Sequence, residues 1–467
     1  MSRPIDPKRI PSSRLERALG FGGLALKLGA NVARSAVSDL AKGQRPHGRS
    51  LVLTPKNFDN IAHSLAQMRG AAMKLGQIIS MDDTLLPPEL SEILARLRAQ
   101  GYAMPPKQLR QVLNAAWGDG WRSMFQHFDV RPFAAASIGQ VHKATLQNGQ
   151  RVAVKVQFPN IKSSIKSDIN NLRLLARASG MVPKGVDLDY YLEVCEQQLT
   201  DETDYKREAH YLRHFSDLTK EITGLQAPPV IEALSNETVL TMGFETGYTL
   251  DQLECFSQKD RQNIAQTLVD FTLRELFDVH MIQSDPNFAN YLFDPKTEEV
   301  KLLDFGATIE LPAKITAIYE KLLAHIMDNN LEGVFETLLE EHLMPANMPE
   351  GPRRLLRDVL TIALAEFHKH PLFSFSESAV FDYINPETIQ EMSQVIPTDV
   401  IPAELLLTQR KLIGLVFLLR RLEARLPLKE MISVHLQRPT DGHWSARAAQ
   451  ASSGAVMDNA GLPHCFQ

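Results

Sequence analysis

The 467-residue chain lacks paired cysteines, a long hydrophobic run and an excess of positive charge. Its three cysteines, Cys195, Cys255 and Cys465, lie far apart, and no two have the spacing of metal ligands. A small odd number of cysteines argues against a disulfide framework. We therefore expect the chain to work in a reducing compartment.

The uncharged apolar stretches are short. Ala18–Leu26 and Leu412–Leu419 cover eight or nine residues, whereas a membrane-spanning helix needs about 20. The N-terminus has no signal-peptide core followed by a small-residue cleavage site, and Asp6 and Glu16 are unusual in a transit peptide. We expect a cytoplasmic location with any membrane contact peripheral, and a matrix-type location is the alternative.

Basic residues are not in excess: 50 Lys and Arg stand against 55 Asp and Glu, a net charge of −5. This balance argues against a general nucleic-acid-binding protein. Residues 1–50 contain ten basic and three acidic residues, a net of +7, so the remaining chain carries −12. This weakly structured basic arm suits contact with an anionic membrane surface, or it is a solvated basic tail.

The spacing of apolar residues predicts a helical segment followed by strands. Phe58 to Ile79 follows the 3-4 spacing of an amphipathic helix. From residue 128 the period changes, and two strands flank an Asn148–Gly149 turn. Helical spacing covers 161–215, a strand follows at 238–242, and a hairpin at 291–303 interrupts the later helices. We divide the chain into an arm (1–50), a helical extension (51–127), a mixed region (128–245), a helical region (246–436) and a loose tail (437–467).

The mixed region carries two features of a kinase-type nucleotide site. Ahead of and into the first strand, a run fits the frame G-x-G-x-x-G-x-V of a phosphate-covering loop, with alanine at two glycine positions. An alanine-rich helix N-terminus would give a similar pattern. Lys155 lies on the next strand, where it can meet phosphates and a helix carboxylate such as Glu208; an exposed strand lysine is the alternative. The loop residues are Ala134, Ala135, Ala136, Ser137, Ile138, Gly139 and Val141.

The helical region carries two further features. Asp285 and Asn290 have the D-x-x-x-x-N spacing of a kinase catalytic loop, although an Asx turn is common for Asp-Pro. Asp304-Phe305-Gly306 follows directly after a strand, where an aspartate can bind Mg²⁺ that bridges phosphates. Each motif is weak alone, but their order and spacing together predict a protein-kinase-like ATP site.

Two departures argue against a conventional protein kinase. Gln283-Ser284 stands where His-Arg precedes the catalytic aspartate of such enzymes. No Ala-Pro-Glu follows Asp304, and helical spacing resumes at 314–327. The segment that usually supports a docked peptide is therefore not expected.

These residues resemble the UbiB family of atypical, protein-kinase-like proteins associated with ubiquinone biosynthesis, over about residues 50–435. Lys74-Leu75-Gly76-Gln77 matches the family's K-x-G-Q signature, and Glu202-Thr203-Asp204 its E-x-D motif. The alanine-rich loop, Gln283-Ser284-Asp285-Pro286-Asn287 and Asp304–Thr308 match the other family motifs. The resemblance implies an α+β, two-lobed protein-kinase-like fold with a helical N-terminal extension. Residues 128–245 would form the N-lobe and 246–436 the C-lobe.

The resemblance also implies roles for the residues. Lys155 would pair with Glu208 and hold phosphates, Asp304 and Asn290 would bind Mg²⁺, and Asp285 would be the catalytic-loop acid. The extension, with Lys74 and Gln77 on a shared helix face, would fold over the site and meet Glu202. Gly76 and Asp204 would belong to the same regulatory set. Glu202 and Glu208, six positions apart on a helix, would face about 120° away from one another, in agreement with two different lysine partners.

The function expected from this resemblance is an Mg-ATP-dependent ATPase or small-molecule kinase that supports ubiquinone assembly. Its partners would be a nucleotide, a lipophilic quinone precursor, an anionic membrane surface and ubiquinone-biosynthesis enzymes, with no nucleic acid. The alternative is a nucleotide-sensing scaffold that binds lipid or partner enzymes with little catalysis. A true protein kinase is a third, disfavoured reading. Because Ala136 restricts positive φ, Ala136→Gly should change nucleotide affinity or self-phosphorylation.

Overall fold

The computed structural model describes residues 6–7, 70–72, 74–75, 102–179, 187–383, 388 and 401–436. Most of the predicted amphipathic stripe, the tail from 437, and Gly76 and Gln77 lie outside these residues. So does the predicted weakly structured arm, except for Asp6–Pro7. That dipeptide pairs in parallel with Tyr102–Ala103.

A five-stranded antiparallel sheet forms the first lobe. Its hydrogen-bonded order is β3-β5-β6-β8, with β4 added beside β5. The predicted strands around 141–146, 152–156 and 238–242 are confirmed, and so is the turn, where Gly149 takes a φ of 85°. The strands up to β8 are β1 Asp6–Pro7, β2 Tyr102–Ala103, β3 Phe125–Phe128, β4 Ala134–Ala135, β5 Gly139–Leu146, β6 Arg151–Gln157, β7 Leu225–Gln226 and β8 Val239–Gly243.

Helices of the described ranges accompany this sheet, and the helical stretch predicted over 161–215 is three helices rather than one. Helices α3 and α4 each begin at an aspartate whose carboxylate accepts backbone N–H groups: Asp187 caps α3 and Asp204 caps α4. Glu202 therefore ends one helix and Glu208 lies on the next, so the single-helix argument for their directions was wrong. The helices are α1 Pro106–Trp117, α2 Ile161–Ser179, α3 Leu188–Glu202 and α4 Tyr205–Thr219.

The second lobe is mostly helical, and its main apolar core continues into α4 and the sheet of the first lobe. Its first helix begins with a capping box, in which Ser257 and Asp260 satisfy each other's backbone N–H groups. The helices are α5 Gln258–Phe277, α6 Ala313–Met327, α7 Leu331–Glu340, α8 Glu350–Lys369, α9 Ala403–Arg421 and α10 Leu428–Leu436.

Short strands in the second lobe position the functional loops. The predicted hairpin at 291–303 is confirmed as β11 paired with β12. The pairing of β10 with β13 was not predicted, because each has only three residues. The strands are β9 Tyr248–Thr249, β10 Met281–Gln283, β11 Tyr291–Asp294, β12 Glu299–Leu302, β13 Thr308–Glu310, β14 Phe373–Ser374 and β15 Arg425–Leu426.

Among the helices of the described ranges, none is both long and apolar enough to cross a bilayer.

Candidate functional site

A buried lysine lies between two carboxylates at the junction of the lobes. Lys155 on β6 is 6% exposed, and its Nζ donates to Glu208 Oε1 at 2.6 Å and Oε2 at 2.9 Å. The same Nζ lies 3.2 Å from Oδ2 of Asp304. The strand lysine, the α4 carboxylate and the Asp-Phe-Gly aspartate, predicted from separate motifs, are thus brought into direct contact.

Burial and charge act against each other in this cluster. Burial alone would lower the pKa of Lys155, but Asp304 and Glu208 outweigh it and hold that pKa well above its ordinary value. Burial raises the pKa of Glu208 to about 7 despite Lys155. For Asp304, Lys155 and the Gly306 N–H outweigh burial, and the pKa falls below its usual range. Asp304 is therefore an anion that can bind a cation.

A second ion pair joins the N-terminal extension to α3. Lys74 is 1% exposed, and its Nζ donates to Glu202 Oε1 at 2.5 Å. Burial would lower the pKa of Lys74, but Glu202 and Asp285 outweigh it and raise that pKa. The Cys195 thiol on α3 donates to the Ala71 carbonyl at 3.7 Å. This helical piece of the extension therefore packs against α3 beside the site.

The alanine-rich loop is a tight turn between β4 and β5. The Ala136 N–H donates to the Gly139 carbonyl at 2.9 Å, and Ser137 Oγ donates to Glu202 Oε2 at 2.6 Å. Glu202 thus bridges the loop to Lys74.

A Cβ on Gly139 would lie 2.6 Å from the Val156 carbonyl oxygen, so only glycine fits there. Of the other loop residues, Ala134 and Ala135 form β4 and pair with Val141 and Gln140, and Ile138 is buried.

Asp204, predicted to belong with Glu202 to the regulatory set of the extension, lies at the start of α4. Its carboxylate accepts the N–H groups of Lys206 and Arg207 and caps α4. This cap fixes the first turn of α4, which carries Glu208. Asp204 therefore supports the site through the helix start.

The catalytic-loop residues lie immediately after β10. Asn290 donates from Nδ2 to Oδ2 of Asp285 at 3.3 Å. Ser284 donates from Oγ to the Ala307 carbonyl at 2.7 Å, which ties the loop to the Asp-Phe-Gly segment. The Asp285–Asn290 spacing therefore places both side chains together.

Helix α9 supplies two site residues that the motifs did not reveal. Arg410 Nη2 lies 3.4 Å from Oδ1 of Asp285. Lys411 Nζ lies 3.3 Å from Glu275 Oε2 and donates to the Gln283 carbonyl at 3.1 Å. Both cations are buried, and they follow the catalytic loop by more than 120 positions in the sequence. Two adjacent cations within a largely apolar helix were the signal that could have identified them.

The residues predicted for Mg²⁺ have suitable chemistry. Among the described side chains, no group of three or more His, Cys, Asp or Glu could hold a metal by itself. Mg²⁺ commonly takes only one or two protein carboxylates together with substrate phosphates. Asp304 and Asn290 line the same small pocket, and the Asp304 side chain is 36% exposed. One carboxylate and one amide oxygen therefore fit a phosphate-bridged Mg²⁺.

Taken together, the sheet lobe, the helical lobe and the lysine–glutamate–aspartate cluster define a two-lobed, protein-kinase-like α+β fold. Proteins of this class are phosphotransferases of the kinase or ATPase type.

Comparisons with known proteins give the family. The sequence model of the ABC1 atypical kinase-like domain matches residues 96–338. The chain is 38% identical over 333 residues to the mitochondrial atypical kinase COQ8 of Saccharomyces cerevisiae, covering 71% of this chain and 66% of that protein. It is 34% identical to mitochondrial COQ8 of Schizosaccharomyces pombe, covering 94% and 72%. It is 32% identical to mitochondrial COQ8B of Rattus norvegicus, covering 94% and 83%.

The chain belongs to the ABC1 family of atypical kinases, the UbiB family linked to ubiquinone biosynthesis. The resemblance inferred from the motifs is thereby confirmed. A solved structure of Rv3197 from Mycobacterium tuberculosis, in complex with erythromycin, shares the fold with a TM-score of 0.57. It is 21% identical and covers 82% of this chain and 97% of its own.

Proposed function

We propose that this protein is an Mg-ATP-dependent ATPase or small-molecule kinase that supports ubiquinone biosynthesis at a membrane surface. The contact of Lys155 with both Glu208 and Asp304 is the observation that carries the proposal. A cation between two carboxylates at a lobe junction is the arrangement that protein kinases use to hold phosphates and metal.

Each residue has a distinct role in this proposal. Lys155, held by Glu208, binds phosphate oxygens, and the loop from Ala134 to Val141 covers them. Asp304 and Asn290 would hold Mg²⁺, which would supply positive charge to neutralise phosphate oxygens. Asp285 lies at the attacking group and accepts its proton or orients it. The alanines at positions 134 and 136 restrict how closely the backbone approaches phosphate.

A small acceptor or water is favoured over a docked protein. Only nine positions separate Asp304 from the first residue of α6. The chain passes through β13 and enters the helix directly, so it leaves little room for a peptide platform. The Lys74–Glu202 ion pair also holds part of the extension beside the Asp-Phe-Gly turn, which leaves less space for a peptide.

The proposed location is a membrane surface reached by peripheral contact. The relatives are named mitochondrial, and in this chain the basic arm of residues 1–50 offers a cationic contact for anionic lipid. Quinone precursors are lipophilic, and a membrane surface is where such an acceptor would be met.

Two ion pairs favour the scaffold alternative. Asp285 is already paired with Arg410, and Lys74 is sealed against Glu202, so this arrangement is consistent with nucleotide sensing. Under this alternative, nucleotide binding would change the contacts of the extension and turnover would be incidental.

The test is Mg²⁺-dependent ATP hydrolysis by wild type, Asp304→Asn, Asp285→Asn and the exposed control Asp251→Asn, with and without anionic liposomes. Binding of a fluorescent ADP analogue is measured in parallel. Turnover that requires Asp304 and Asp285 and increases with liposomes supports the proposal. Nucleotide binding by all four proteins with equal, negligible hydrolysis would favour the scaffold.

A further inference from the structure

The segment from Asp304 to Glu310 is bound to helix α4 by an arginine that none of the motifs includes. Arg207 donates from Nη1 to the Gly306 carbonyl at 3.1 Å and from Nη2 to the Thr308 carbonyl at 2.5 Å. Its guanidinium carbon also lies 4.8 Å from the centre of the Tyr211 ring. One side chain thus bonds two carbonyls on the metal-binding side of the site.

Further contacts extend this attachment along α4. Tyr211 donates from its hydroxyl to Glu310 Oε1 at 3.4 Å. Phe305 stacks on Phe215 with ring centroids 5.0 Å apart. Arg207, Tyr211 and Phe215 are spaced by four residues and share one helix face. The segment therefore follows this face of α4 over about two turns.

The opposite edge of the segment is fixed by β10. Thr308 pairs with Gln283 and Glu310 pairs with Met281 in antiparallel register. The Leu311 N–H then donates to the His280 carbonyl at 2.8 Å. The segment is held between α4 and the strand that leads into the catalytic loop.

The segment also offers no site for an activating phosphate. Conventional protein kinases order this region when a phosphorylated loop residue pairs with arginine. Thr308 is the only hydroxyl-bearing residue between Asp304 and Pro312. Its relative exposure is 0%, so a kinase cannot reach it in the folded protein.

We propose that Arg207 is a positioning residue. It holds the segment from Asp304 to Glu310 in the conformation needed for metal binding by Asp304, without phosphorylation. In a kinase that is switched by phosphorylation, a phosphate accepts hydrogen bonds from an arginine guanidinium. Here the main-chain carbonyls of Gly306 and Thr308 accept them instead. The fork of arginine can donate to two carbonyls at once, whereas lysine is a compact point charge. The inference rests on the proposed function, because that function makes Asp304 a metal ligand.

The first experiment measures hydrogen exchange in nucleotide-free protein. Backbone amides of 304–310 are compared in wild type, Arg207→Met, Arg207→Lys and Arg213→Met. Arg213 lies on the same helix but is exposed, with Glu232 at 3.4 Å, so its loss is a matched control. We expect exchange about tenfold faster or more in Arg207→Met, since two charge-assisted hydrogen bonds are lost. We expect an intermediate exchange rate for Arg207→Lys and the wild-type exchange rate for Arg213→Met.

The second experiment measures turnover against Mg²⁺ and ATP concentration. Arg207→Met should raise the Mg²⁺ concentration needed for half-maximal rate and lower kcat, with metal-free nucleotide affinity unchanged. Arg207→Lys should recover part of the rate. Wild type shown by mass spectrometry to carry no phosphate should retain full turnover.

Equal exchange and equal Mg²⁺ dependence in Arg207→Met and Arg213→Met would overturn the proposal, as would turnover that requires a phosphate on the protein. Failure of this proposal can be distinguished from failure of the proposed function. If the wild type shows no turnover but hydrogen exchange in 304–310 still depends on Arg207, only the proposed function is contradicted. If Arg207→Met does not fold, Arg207→Lys carries both experiments.

Discussion

Glu202 and Glu208 approach the same glycine from two different helices. A Cβ on Gly306 would lie 3.5 Å from Cγ of Glu202 and 3.3 Å from Oε2 of Glu208. The two glutamates bind different lysines, Lys74 and Lys155 respectively. The Asp-Phe-Gly turn is therefore where the ion pair of the extension meets the ion pair of the proposed nucleotide site.

Gly306→Ala should disturb both pairs. The added methyl would also lie 3.3 Å from Oδ1 of Asp304, so neighbours must move by a few tenths of an ångström. We expect a loss of about 1–3 kcal/mol in the free energy of unfolding, and turnover about tenfold to a hundredfold lower. Urea denaturation and ATP hydrolysis measure these effects. Gly120→Ala is the control, since nothing lies within 4 Å of its Cβ position, and equal results for both variants would contradict the prediction.

Lys155→Met should destabilise the protein, because it leaves two carboxylates without their buried cation. Removing one partner of a buried pair costs about 3–5 kcal/mol. The double variant Lys155→Met, Glu208→Gln should lose less than the sum of the two single variants. Urea denaturation of all four proteins gives the coupling energy. Simple additivity would show that the contact contributes nothing to folding, while turnover should be lost in every variant.

Gly414→Ala should reverse the usual effect of alanine in a helix. Alanine normally stabilises a helix interior by about 1 kcal/mol relative to glycine. Here the new Cβ would lie 2.3 Å from Cβ of Pro286, next to Asp285. We expect a net loss of about 1–3 kcal/mol on unfolding and reduced turnover. A stabilised, fully active variant would contradict the prediction. It would mean that α9 can move away from the catalytic loop with no loss of stability or turnover.

His142 should make the first lobe less stable in acid. Burial lowers the pKa of His142 to about 4, and the ring accepts from Gln140 while donating to the Asp129 carbonyl. The unfolded chain titrates near 6.5, so it binds more protons than the folded chain between pH 4 and 6.5. Stability from this group is complete above pH 6.5 and decreases as the pH falls, by about 3 kcal/mol in all.

The measurement for His142 is the pH dependence of urea denaturation. His142→Gln should give a flatter profile between pH 4 and 6.5 than wild type. His370→Gln, at an exposed position in the second lobe, is the control variant. Parallel profiles for wild type and His142→Gln would refute the prediction.

Much of the first lobe could be predicted because its strands are long and apolar. Val152 to Val156 alternates around Lys155, and the Asn148–Gly149 turn fixes where the hairpin closes. The order of the nucleotide motifs likewise predicted which side chains would meet. The strand and turn signals are local, since each depends on residues a few positions apart, and each nucleotide motif is likewise short.

The rest depended on contacts between distant parts of the chain. The break between Glu202 and Glu208 rests on Asp204 as a helix cap, and the apolar spacing continues through that break. Arg410 and Lys411 come to the catalytic loop through packing of α9. Two adjacent cations in a largely apolar helix indicate that both are buried, but not which loop they contact. Strands of two or three residues, such as β13, have too few positions to show a period.

The position of α9 has a consequence for the order in which the site can form during synthesis. The residues matched by the family model end at 338, yet Pro286 packs on Gly414 and Gln283 is bound by Lys411. A ribosome has to release some 130 further residues after Asp285 before these supports exist. The loop that contains Asp285 therefore lacks these contacts until the C-terminal helices have been synthesised.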